Sequence, residues 1–240
     1  MDWVRAVRPL SFMTAALLAL AALWYALYIF GVTTPAFPAS DSSLTRAENL
    51  RTFFIYQHSV VWQEYGFTLL AALAFLLVAP IAMVLREILG HQIPTATIAS
   101  AFFIAAACLL VAGQVVQIGT QRAFLSSSGN ELNDTETLIL IWDTGLFISN
   151  WLENGGYFSP ALGILGWAVV GREIRPVPRA WITLSGILSA ALLIVVVCQA
   201  LEVWVIYDVA LALSGAVLAP AWFLLTAQVC TSVSEGIKEY

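Results

Sequence analysis

The chain has 240 residues, of which 60% are hydrophobic and only 10% charged, with a formal net charge of −5 at pH 7. A soluble chain carries about 25% charged residues, so this one cannot clothe a water-facing surface, and its mean hydropathy of +0.87 agrees. Soluble enzymes, disordered scaffolds and nucleic-acid binders are excluded, and what remains is an all-α, polytopic membrane protein whose first partner is the lipid bilayer.

A helix crosses roughly 30 Å of hydrocarbon with about 20 apolar residues. The first such stretch, residues 10–30, follows Arg5 and Arg8. It is long for a signal-peptide core and lacks a convincing cleavage site, so an uncleaved span is predicted. The second span, residues 65–85, closes on Arg86 and Glu87. Ahead of it, Thr45 and Glu48 form a capping-box pattern, which predicts a helix beginning far outside the membrane and a rod of roughly 60 Å. Pro80 is expected to kink it. The third span, residues 94–116, opens on Pro94, a favoured first-turn residue. The polar stretch after it, with Ser126, Ser127, Ser128, Gly129 and Asn130, reads as an outer loop. Residues 136–171 are too long for one crossing, which places 136–150 outside and the fourth span at 151–171, with Gly155 and Gly156 as a candidate break. Spans five and six, residues 181–201 and 209–229, are joined by so few residues that an antiparallel hairpin is expected.

Six transmembrane helices with helical extracytoplasmic extensions follow. Arg5, Arg8, Arg86, Arg172, Arg175, Arg179 and Lys238 then share one side, seven of the ten basic residues, against Arg46, Arg51 and Arg122 on the other. The positive-inside rule puts both termini in the cytoplasm. A prokaryotic plasma membrane is the expected location. Trp24, Tyr25, Tyr28, Trp62, Tyr65, Trp151, Trp204 and Tyr207 would form the outer aromatic belt, and Trp3, Trp167 and Trp181 the inner one.

Residues recur at an offset of 86, Glu48 with Asp134 and Arg86-Glu87-Ile88 with Arg172-Glu173-Ile174, and at 85, Gln114 and Gln117 with Gln199 and Glu202. An internal parallel repeat of residues 45–117 and 131–202 is one reading; chance matching of apolar helices is the other. The turn Arg172-Glu173-Ile174-Arg175-Pro176-Val177-Pro178-Arg179, followed by Leu184-Ser185-Gly186-Ile187-Leu188, resembles an uncharacterised bacterial family of multi-pass membrane proteins, a domain of unknown function. That resemblance implies a first span, an external loop and long helices, and implies no reaction.

Counting excludes several cofactors. The single lysine, Lys238, lies at the C-terminus, so no intramembrane Schiff base to retinal forms. His58 and His91 fall on opposite sides of the predicted bilayer, which leaves bis-His haem without ligands. Cys108, Cys198 and Cys230 lie far apart in apolar stretches and read as buried small hydrophobes; no metal site is expected.

The informative polar residues lie near the outer boundary. Gln114 and Gln117 share a face three residues apart, as do Gln199 and Glu202. Asp143, Asn150, Glu153 and Asn154 form one stripe, and Gln57 and Glu64 repeat its first interval. Lipid penalises such groups, so they should face one another or water. Two readings follow: helix ends tied by interhelical hydrogen bonds, or an outward-facing pocket lined by Gln114, Gln117, Asn150, Glu153, Gln199 and Glu202. Without a positioned nucleophile, no catalytic residue is assigned. The function expected is a non-catalytic bundle that binds a small ligand or serves as accessory subunit to membrane-protein partners. A small transporter of an apolar or amphipathic molecule is the alternative, and an enzyme using Glu153 and Glu202 is the third.

Overall fold

The computed structural model describes residues 2–34, 42–90, 93–128, 135–173 and 177–236. Among these residues every regular element is helical: α1 (Asp2–Ile29), α2 (Arg46–Leu89), α3 (Pro94–Ser128), α4 (Thr135–Glu173), α5 (Arg179–Ala200), α6 (Trp204–Leu213) and α7 (Ala219–Gly236), with a π-helical turn, Ser214–Leu218, fusing α6 to α7. Among the described residues five stretches are long and apolar enough to cross a membrane: Ala6–Ile29, His58–Leu89, Pro94–Ala123, Arg179–Ala200 and Trp204–Val233. The chain is an all-helical, multi-pass membrane protein.

α2 starts as its capping box predicts. The Thr45 hydroxyl accepts from the Glu48 N–H at 3.3 Å, and the Thr45 N–H donates to the Glu48 carboxylate at 2.8 Å. That backbone bond first, and then the Thr45 hydroxyl donating to the same carboxylate at 2.7 Å, hold the exposed Glu48 carboxyl below its usual range. From there α2 runs 44 residues, with Pro80 inside a continuous helix.

α3 departs from expectation, because it stays helical through Ser128 and so absorbs most of the predicted loop. The polar stretch has partners that a loop would lack: Gln121 is bonded to Glu64 of α2, and Thr120 packs against Gly145 of α4. Gly129 and Asn130 lie outside the described residues, as do His91, Asp134 and Arg175.

α4 does not break at Gly155 and Gly156. Those glycines, with Gly163 and Gly166, let α3 approach closely. A Cβ on Gly156 would sit 2.6 Å from Leu110 Cγ, one on Gly163 2.7 Å from the Phe103 ring, and one on Gly166 3.0 Å from Ala99 Cβ. Small residues at a helix seam replace the hydrophobic drive that lipid removes. The contacts run in opposite order along the two helices, from Thr120 with Gly145 to Ala99 with Gly166, an antiparallel seam of about 31 Å at 1.5 Å per residue. The same residues, with Asn154, Ser159 and Pro160, explain why α4 is missing from the five apolar stretches.

α5 lies antiparallel to α4, with Ser189 Oγ donating to the Ala161 carbonyl at 2.8 Å. It is locked to α7 by two buried tryptophans that stack at 5.8 Å. Trp181 Nε1 donates to Thr226 Oγ1 at 2.9 Å and Trp222 Nε1 to Ser185 Oγ at 2.8 Å. A three-residue turn brings the chain from α5 into α6, the expected hairpin. Ahead of the spans, Phe53 of α2 meets Trp142 of α4 with ring centroids 5.3 Å apart. Leu140 and Phe147 remain exposed. Cys198 and Cys230 are buried as expected, whereas Cys108 faces outward, and all three are free.

Candidate functional site

A cavity of about 350 Å³ opens between the helices. Its lower body is apolar and aromatic, with Phe75, Phe103, Leu188 and Leu192 around the Trp222 and Phe223 rings. Its polar groups gather at the other end, where Tyr25 of α1, Gln114 and Gln117 of α3, Asn150 and Glu153 of α4 and Asp208 of α6 converge.

Each polar group is placed by an identifiable local feature. Gly113 makes room for Glu153, whose Cγ would lie 3.0 Å from a Cβ there. Gln114 Nε2 donates to Glu153 Oε1 at 2.8 Å, and the neighbouring Ser149 hydroxyl donates to the Gly113 carbonyl at 3.2 Å. Across the cavity the Tyr25 hydroxyl donates to Asp208 Oδ1 at 3.0 Å. On α6 the residues Trp204, Tyr207, Asp208 and Leu211 follow helical spacing and present one face to the cavity. Two carboxylates therefore face one space, and among the described residues no Lys, Arg or His lines it.

A further polar atom lies deeper. Ser214 is 2% exposed, lines the cavity, and its hydroxyl has no hydrogen-bond partner. Ser100, Ser185 and Thr226 bond the carbonyl four residues back, whereas Ser11 and Thr68 are, like Ser214, buried without a partner but do not line the cavity. Ser214 opens the π-helical turn, an irregularity frequent at functional sites.

Of the six residues singled out by sequence, four line the cavity: Gln114, Gln117, Asn150 and Glu153. Gln199 is buried beside it and donates to the Asn150 carbonyl at 3.3 Å, so it ties α5 to α4 without lining the space. Glu202 is exposed, because α5 ends at Ala200 and the shared-face argument fails beyond that point. It sits in the turn with φ of 57°, a left-handed conformation unfavourable for a glutamate. Glu153 and Glu202 therefore do not face each other across the cavity. Asp143 is exposed, and the Gln57 side chain lies outside the described residues. Glu64 joins a separate buried cluster instead, bonded to the Tyr28 hydroxyl and to Gln121.

Sequence reasoning missed Tyr25, Asp208 and Ser214. Tyr25 was assigned to the aromatic belt. Asp208 fell one residue ahead of the sixth span as drawn, although the apolar helix begins at Trp204. The spacing of Trp204, Tyr207, Asp208 and Leu211 was the available signal.

No family model, no curated protein and no solved structure matches this chain significantly. Function is therefore argued from the geometry.

Proposed function

We propose that the protein is a non-catalytic, membrane-embedded ligand-binding bundle whose cavity takes one amphipathic molecule, polar end at the Gln114–Glu153 level and apolar end against Trp222. The observation that carries this reading is the segregation of the cavity: polar side chains at one end, aromatic and aliphatic ones below. Its volume falls in the range of small-ligand pockets, roughly 300–1,000 Å³. The two carboxylates are assigned a binding and orienting role and no covalent step.

The proposal includes six crossings, with α4 as the sixth. Its support is the seam of about 31 Å that α4 shares with α3, one hydrocarbon thickness long. A second support is the outward stripe of Trp151, Phe158, Leu165 and Val169, each more than 40% exposed and all apolar. Both termini are assigned to the cytoplasm. Arg8, Arg86, Arg172 and Arg179 lie at the bundle end where α1, α3 and α5 begin, and Arg122 at the other, so the cavity's polar end faces outward by the positive-inside rule.

The test is quenching of Trp222, which is fully buried and borders the cavity. Brominated dodecanol added to the protein in lipid nanodiscs should quench a saturable component of tryptophan emission, and that component should be missing in Trp222→Phe. Quenching that is linear and identical in the two proteins would refute a cavity ligand.

A further inference from the structure

We infer that the molecule bound is an amphipathic organic cation, an amine or quaternary ammonium head on an apolar body, with the head held between Glu153 and Asp208. This rests on the ligand-binding reading above and names the chemistry of the ligand.

The two carboxylates lie on different helices, α4 and α6, and face the same space. Each has neutral donors only: Gln114 for Glu153 and Tyr25 for Asp208. Among the described residues neither has an ion-pair partner, and no basic side chain lines the cavity. Glu153 is buried and Asp208 half-buried; a buried carboxylate without a counter-ion is costly, and a cation entering from water supplies one. Tyr207 lines the cavity together with Glu153 and Asp208. Tyr25 and Trp204 line the same level. Aromatic faces beside a cation add cation–π attraction, which a neutral or anionic head would not gain.

Of the three buried hydroxyls without a partner among the described residues, Ser11, Thr68 and Ser214, only Ser214 lines the cavity, where an occupant can reach it. An unpartnered buried hydroxyl is unfavourable, and this one sits six residues beyond Asp208, about 9 Å along the helix axis. A carbonyl or hydroxyl on the body of the ligand would satisfy it. An anionic head is disfavoured by both carboxylates, and a simple alkane leaves them uncompensated.

The experiment uses the full chain in nanodiscs, with brominated dodecanol as reporter on Trp222 and three unlabelled competitors: dodecylamine, dodecyltrimethylammonium and dodecanol. Affinities are referred to membrane-bound concentration so that partitioning cancels. Both cations are expected to compete at least tenfold more tightly than dodecanol. That preference, read as the ratio of cation to dodecanol affinity within each protein, should fall to near unity in Glu153→Gln or Asp208→Asn. If either variant fails to fold, the two cations against dodecanol in the unaltered protein still decide the matter. Equal competition by dodecanol, or a preference that survives in both variants, overturns the cation inference while leaving the cavity reading intact. Absence of saturable quenching overturns both.

Discussion

Glu153 shows how one residue's role follows from its neighbours. Gly113 clears space for its side chain, Gln114 donates to it, and α4 turns it into the cavity instead of into lipid. Gln114, Gln117, Asn150 and Glu153 were legible because helical spacing alone puts them on shared faces. Glu202 was misread because that spacing argument presumes a helix, and α5 had already ended. Two residue-scale tests follow. Ser185→Ala removes the acceptor of Trp222 Nε1 and should destabilise the bundle by about 1–3 kcal/mol, read as a lower unfolding midpoint in detergent. Glu48 provides the second, through pH. Its carboxyl is held low in the folded helix, so its contribution is present above its ordinary value of 4.5 and lost as pH falls through the lower folded value. Amide exchange at the first turn of α2, corrected for intrinsic rate, should accelerate below that point, and Glu48→Gln should abolish the pH dependence. Unchanged protection down to strongly acidic pH would contradict it.

At the scale of elements, α4 is the instructive helix. Its glycines, serine and proline lower its hydropathy below that of its neighbours, because most of it is covered by α3 and α5 and only one stripe is left exposed. Hydropathy measures what a helix offers to lipid, so a central helix is the one it undercounts. The capping box, in contrast, was readable from Thr45 and Glu48 because both partners lie within one turn. The tight seam predicts that Gly163→Leu, which would force a larger side chain against Phe103, costs about 1–3 kcal/mol or more. The check is the unfolding midpoint, with Gly186→Leu as the control, since nothing lies within 4 Å of a Cβ there. Equal effects of the two substitutions would mean that the seam is not the constraint.

For the whole molecule, the ordering of helices sends basic residues predominantly to one end. Introduced cysteines near residue 125 should label only from outside intact cells and those near residue 175 only from inside; the reverse would invert the bundle. The π-helical turn has a consequence at this scale as well. Deleting Ala216, inside that turn, should restore ordinary helical winding while α6 and α7 keep their facing, since the wide turn accommodates one surplus residue. The deletion variant should then fold with helicity near that of the parent by circular dichroism, yet present a differently shaped wall to whatever occupies the interior. Shortening the chain by one residue would thus separate two properties that substitutions tend to confound: how well the protein stands up, and what it is able to hold.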